Sequence, residues 1–152
     1  MIDLLIMAGT GIAAMLACIE RPSGLSRTMM TAWVMSVIIF ALSSAGALKI
    51  SYLPGAYAIT DLAVAMSALA ILTKYHSQRA RIILMVSVAL MFCHFGFAAS
   101  HGRIDWSIYA LILNVGFLFQ CWTAGGGCNG LVDFFDHIWR RDHHHRHVGS
   151  GD

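Results

Sequence analysis

Long apolar runs separated by short polar segments divide the first 123 residues of the chain into five parts. Each run is close to the roughly 20 residues that an α-helix needs to cross a bilayer. The runs extend over 2–19, 28–48, 57–75, 82–100 and 104–122. The segments between them contain charged residues, proline or glycine, which end helices. The pattern therefore predicts an all-α membrane protein in which 1–123 form a bundle of five transmembrane helices.

A glycine-rich hinge and a short amphipathic segment, together 124–142, follow the fifth run. Phe134, Phe135 and Trp139 lie on one face of a helix through this segment, and Arg140 and Arg141 lie on the opposite face. The segment is too short to span a bilayer. We therefore predict a cytoplasmic helix at the membrane surface, with its aromatic rings in the lipid and its arginines at anionic headgroups.

The last ten residues, 143–152, contain four histidines and one further arginine. Clustered imidazoles can bind transition metals, but no carboxylate or thiol at fixed spacing completes a site. We expect a disordered tail with no specific metal site. A functional metal site and a cloning remnant are the alternatives.

Lysine and arginine are distributed unequally between the two sets of loops. The ends of the first, third and fifth runs and the segments after them contain eight of these residues, whereas the segments after the second and fourth contain only Lys49 and Arg103. Cytoplasmic loops retain the positive excess. The distribution predicts a protein of the bacterial inner membrane with its N-terminus outside and its C-terminus in the cytoplasm.

Composition supports the membrane class and excludes several functions. Hydrophobic residues make up 58% of the chain and charged residues 12%, and the net charge is only +2. No basic face of the kind that binds nucleic acid is present, so the lipid bilayer is the expected partner. Nucleotide-binding loops, zinc-protease motifs and nucleophile motifs are missing as well. We expect a protein that is not an enzyme and has no cofactor.

A few polar residues interrupt the apolar runs at similar depths. At about 1.5 Å of rise per residue, Asp61 in the third run and His94 in the fourth are expected at the same height on neighbouring helices. Ser43 and Ser44 reach a similar depth, and Asn114 lies somewhat deeper. We predict one polar cluster. It either fixes helix packing, handles protons or ions, or lines a gate in an oligomer.

Small residues recur four apart in the first two runs, at Gly9, Ala13 and Ala17 and again at Ala41 and Ala45. This spacing lets helix backbones approach closely in membranes. The residues therefore pack helices within one chain or form a face for self-association into a homo-oligomer.

Several features together resemble small polytopic membrane proteins of tailed phages. They are the Tyr57-Ala58-Ile59-Thr60-Asp61 opening of the third run, His94, Leu113-Asn114-Val115 and the glycine-rich exit from the fifth run. Some proteins of this group are called holins. The resemblance covers residues 1 to 130 and implies a protein that accumulates in the inner membrane and oligomerises into lesions that release a lytic enzyme.

The expected function is therefore holin-like permeabilisation of the membrane by self-assembly, without catalysis. One alternative is a regulatory protein that binds a host membrane protein, as in superinfection exclusion. The other is a small proton-coupled transporter that uses Asp61 and His94.

Overall fold

Five α-helices make up most of the described chain. The computed structural model describes residues 2–100 and 103–127, and these residues form no β-strand. The helices are α1 (Ile2–Glu20), α2 (Gly24–Ser44), α3 (Leu53–Tyr75), α4 (Gln78–Ala99) and α5 (Trp106–Gly125), with a 3-10 turn at Ile50–Tyr52. The predicted all-α class is confirmed for this part of the chain. The predicted amphipathic segment, with Phe134, Phe135, Trp139, Arg140 and Arg141, lies outside the described residues.

Four of these helices, α2 to α5, are each long and apolar enough to cross a membrane. The surface of the bundle has the matching character. Phe92 is 72% exposed and Ile59 69% exposed, and exposed apolar side chains occur on all five helices. A soluble domain seldom exposes such large apolar patches. The exposed side chains suit contact with lipid tails.

Short connections make the helices antiparallel neighbours in a ring. Each helix packs against the next one in sequence, and contact between α1 and α5 closes the ring. We call the end at which α1 begins the upper end and the end at which it finishes the lower end. The starts of α3 and α5 and the ends of α2 and α4 are therefore also at the upper end.

Serine caps extend two helices beyond the limits that hydrophobicity predicts. Ser23 accepts a hydrogen bond from the Ser26 backbone N–H, so α2 begins at Gly24 rather than at residue 28. Ser77 accepts a hydrogen bond from the Ala80 N–H, and α4 begins at Gln78 rather than at residue 82. Satisfying the free N–H groups of a first turn stabilises a helix start. The basic segment before the fourth run is therefore largely helical.

The end of α2 also differs from the prediction, because the helix finishes at Ser44 and not at residue 48. Gly46 adopts a left-handed φ of +74°. Its N–H donates to the Ser43 carbonyl at 3.0 Å, and the Ala47 N–H donates to the Leu42 carbonyl at 2.9 Å. Such a turn terminates a helix, and glycine adopts it at little steric cost.

Small side chains fill the lower half of the bundle. Ala14, Ala68 and Ala80 have no exposed surface, and Ala17 and Ala124 are almost as deeply buried. Met29, Val64, Ile83 and Cys121 complete this core between the five helices. Alanine at helix contacts permits close approach of the backbones, so the lower half is tightly packed.

One close contact between α1 and α2 depends on a glycine. The indole N–H of Trp33 donates to the Met7 carbonyl at 3.0 Å. The Trp33 ring then lies flat against Gly11, where an added Cβ would be only 2.5 Å from the ring. Glycine is required here because the ring occupies the space that a side chain would need.

We expect Gly11→Ala to lower the free energy of unfolding by about 1 to 3 kcal/mol, since the Trp33 ring must move as in an overpacked core. Denaturation in detergent micelles measures the loss. Gly9→Ala is the matched control, because a Cβ at Gly9 meets no atom within 4 Å. The control should be neutral or stabilise by up to about 1 kcal/mol through helix propensity. Equal stabilities of the two variants would contradict the expected strain.

Candidate functional site

Three side chains from three helices form a chain of hydrogen bonds in the upper half of the bundle. His94 Nε2 on α4 lies 2.7 Å from Asp61 Oδ2 on α3. The other ring nitrogen, Nδ1, lies 2.6 Å from the Tyr109 hydroxyl on α5. His94 and Tyr109 are each only 2% exposed. We call Asp61, His94 and Tyr109 the polar triad.

The triad geometry fits more than one protonation pattern in which every hydrogen bond has a donor. In one pattern, neutral His94 donates its Nε2–H to the ionised Asp61 carboxylate, and Nδ1 accepts a hydrogen bond from the Tyr109 hydroxyl. The triad then has a net charge of −1. A second proton on His94 would make the triad neutral, with both ring nitrogens as donors. The triad can therefore hold or release one proton without a change of partners.

Aromatic packing holds Tyr109 in place. Its ring stacks on Phe97 of α4, with the ring centroids 4.1 Å apart and the planes inclined by 20°. Trp106 of α5 packs against the same two rings, 5.2 Å from Tyr109 and 5.4 Å from Phe97. Contacts of this kind stabilise beyond the area that they bury. They fix the hydroxyl that orients His94.

A cavity of about 270 Å³ lies beside the triad and is lined by all five helices. It extends along α5 from Trp106 at the upper end to Phe117, a rise of about 16 Å at 1.5 Å per residue. Asp61 and Tyr109 belong to its wall, whereas His94 is behind them. The cavity thus reaches from the upper end to about the middle of the bundle.

Asp61 is the one charged residue that lines this cavity within the described part of the chain. The neighbouring Thr10 and Thr60 hydroxyls and the Asn114 amide donate to carbonyl groups of their own helices. The Asp61 side chain remains 14% exposed. Its Oδ1 atom makes no hydrogen bond to any described residue, so this oxygen is available to a molecule in the cavity.

A second buried polar pair lies below the cavity. The Gln120 side-chain N–H on α5 donates to Ser87 Oγ on α4 at 2.9 Å, and both residues are fully buried. Gln120 Oε1 has no hydrogen-bond partner among the described residues. Along α4 and α5, the cavity-lining residues Leu90 and Phe117 lie between this pair and the polar triad.

The structure brings together only part of the predicted polar cluster. Asp61 and His94 are in direct contact, and Asn114 lines the same cavity. Ser43 is half-buried and Ser44 exposed in the last turn of α2, and neither lines the cavity. The early end of α2 at Ser44 leaves both serines at the upper rim of the bundle, away from Asp61.

The small residues of α1 and α2 fall into two groups. Ala17 is buried beside Gly125 of α5, where an added Cβ would be 3.2 Å from the Ala17 Cα, and Ala13 packs against the lower core. Gly9, Ala41 and Ala45 are exposed. The first group serves packing within the chain, and the second faces outward near the upper end.

Sequence reasoning missed Tyr109 and Ser87. Tyr109 is close to a helix end, where an aromatic residue is expected at the membrane interface for other reasons. The sequence feature that could have identified it is its depth. Tyr109 lies one turn below the upper end of α5, at nearly the depth of His94 on the adjacent helix. Ser87 carries no signal until α4 and α5 are known to be neighbours.

We expect Tyr109→Phe to destabilise the protein by about 1 to 2 kcal/mol, because His94 Nδ1 loses its buried partner. Tyr57→Phe is the matched control. Tyr57 also lines the cavity, but its hydroxyl makes no hydrogen bond to any described residue. Unfolding of both variants in micelles gives the comparison. Equal losses would show that the hydroxyl of Tyr109 contributes nothing through His94.

No protein family, curated protein or solved structure matches the chain. The site combines a carboxylate and a phenol on a cavity wall with a buried imidazole behind them.

Proposed function

We propose that the chain is a five-span protein of the bacterial inner membrane, with the upper end outside and the lower end in the cytoplasm. The distribution of cationic residues supports this orientation. Arg21, Arg27 and Lys74 lie near the lower end, whereas Lys49 and Arg103 lie near the upper end. The cavity then lies in the outer half of the bundle.

We further propose that the protein is a small proton-coupled transporter that is not an enzyme. The observation that carries this proposal is the position of Asp61, which lines a cavity and is hydrogen-bonded to a buried histidine. Intramembrane carboxylate and histidine pairs recur in proton pathways of pumps and transporters. A solute in the cavity would contact Asp61 directly. Binding of the solute could then change the protonation of the triad, which is what coupling to protons requires.

The two halves of the bundle suit alternating access. The upper half is hollow, and the lower half is closed by the alanine-rich core and by the Gln120–Ser87 pair. Passage of a solute to the lower end therefore requires the helices to separate there. Contacts made by small side chains cost less to separate than contacts made by large interdigitated ones, because they bury less apolar area.

Flux into liposomes tests the proposal. The purified chain is reconstituted with a pH-sensitive dye inside and exposed to benzyltrimethylammonium, benzenesulfonate or benzyl alcohol, three solutes of similar size and different charge. We expect at least one solute to change the internal pH, and Asp61→Asn to abolish the change, since a group that cannot ionise cannot couple.

Asp105→Asn is the matched control for this experiment. Asp105 is exposed and caps α5 through the Ser107 backbone N–H, a bond that lowers the pKa of the carboxyl. Asparagine caps a helix about as well as aspartate. The control therefore removes a carboxylate at the same end of the bundle without touching the cavity, and it should retain full flux. Absence of a pH change with all three solutes would contradict the transporter.

Self-assembly of the holin-like kind is the second candidate, and the outward position of Gly9 favours it. Gly9, Ala41 and Ala45 are exposed, and an added Cβ at Gly9 meets no atom within 4 Å. Small exposed residues on transmembrane helices permit close contact between copies of a chain.

Induction in a bacterial host separates the two candidates, with membrane potential and release of a cytoplasmic reporter enzyme followed together. Self-assembly predicts abrupt depolarisation with enzyme release, which Gly9→Leu abolishes without unfolding the monomer. The transporter predicts an intact potential, no release and no effect of Gly9→Leu. Depolarisation that Gly9→Leu leaves unchanged would exclude this face as the assembly surface.

A further inference from the structure

We infer that the molecule that binds in the upper cavity is a small organic cation with a compact apolar body. This inference rests on the proposed transport function and names its substrate class. It follows from the charge, the aromatic content and the size of the cavity.

Charge favours a cation over an anion or a neutral solute. Asp61 is the sole charged residue among the described cavity-lining residues, and its Oδ1 atom is free to accept a contact. A carboxylate in an apolar surrounding attracts a positive charge far more strongly than it does in water. Among the described residues no lysine or arginine lines the cavity to receive an anion, so an anionic solute would meet repulsion from the triad.

The aromatic residues of the wall favour an organic cation over a metal ion. Six of the seventeen residues that line the cavity are aromatic, namely Trp33, Phe40, Tyr57, Trp106, Tyr109 and Phe117. The faces of such rings attract ammonium groups, and tryptophan does so most strongly. A hard metal ion would need several oxygen ligands, and no group of three or more His, Cys, Asp or Glu side chains among the described residues could hold one.

The size of the cavity limits the cation to a small one. Its volume of about 270 Å³ lies just below the roughly 300–1,000 Å³ of pockets for drug-sized ligands. A single ring with one ammonium group is of suitable size. A large amphipathic cation exceeds the space between Trp106 and the cavity floor at Phe117.

Binding of the cation and binding of a proton oppose each other at the triad. An added proton cancels the net charge of −1 that attracts the cation, so entry of the cation favours release of the proton. The titratable groups near Asp61 and Tyr109 are His94 and Cys93 on α4 and Tyr57 on α3, whereas the described side chains of α1 and α2 place none in the cavity wall. The affinity for a permanently charged cation should therefore fall as the pH is lowered.

Ligand binding to the full chain in detergent micelles tests the inference. Benzyltrimethylammonium is compared with neopentylbenzene, in which carbon replaces the ammonium nitrogen at identical shape. Trp33 and Trp106 line the cavity, so their fluorescence reports occupancy. We expect the cation to bind at least tenfold more tightly than its neutral isostere at pH 8, with weaker binding of the cation at pH 5.

Asp61→Asn should lower the affinity for the cation at least tenfold and leave that for the neutral isostere unchanged, whereas Asp105→Asn should change neither. The pH series uses the unaltered protein, so the inference remains testable if Asp61→Asn does not fold. Equal binding of both compounds, or cation binding that strengthens as the pH falls, would contradict the cationic substrate. Either result would leave the proposed transport function intact. Failure of both compounds to bind would overturn the cation site and the transporter together.

Discussion

A carboxylate within an apolar bundle is the constraint on which the upper half of this structure depends. An ionised Asp61 is stable at that depth only with a hydrogen-bond donor beside it. His94 provides the donor, and its second nitrogen then needs a partner of its own, which is the Tyr109 hydroxyl. Phe97 and Trp106 fix the tyrosine ring. A single buried charge thereby ties α3, α4 and α5 together.

Side-chain size decides where the cavity lies. In the lower half, alanines such as Ala14 and Ala68 are fully buried and let the helices approach closely. In the upper half, the rings of Trp33, Tyr57 and Trp106 line the cavity. The bundle therefore has one half that is packed with small side chains and one half in which large rings surround a cavity.

The helices and half of the site are predictable from the sequence, for identifiable reasons. Apolar runs locate all five helices, and a fixed rise per residue places Asp61 opposite His94. Helix ends are less predictable, because the caps at Ser23 and Ser77 depend on local hydrogen bonds. The left-handed conformation of Gly46 ends α2 at Ser44, and hydrophobicity does not predict it. The predicted helix was therefore too long, and Ser43 and Ser44 were expected deeper than they lie. Tyr109 was not predicted as part of the site, because the preference of aromatic residues for the membrane interface explains its position equally well.

Asp61 differs in exposure from the second buried polar pair of the bundle. A polar pair that only fixes helix packing is expected to be sealed, as Gln120 and Ser87 are with no exposed surface. The Asp61 side chain is instead 14% exposed, and it lines the cavity. Its hydrogen bond to His94 does not require this exposure. Packing alone explains the contact with His94, whereas it leaves the second carboxylate oxygen without a partner among the described residues.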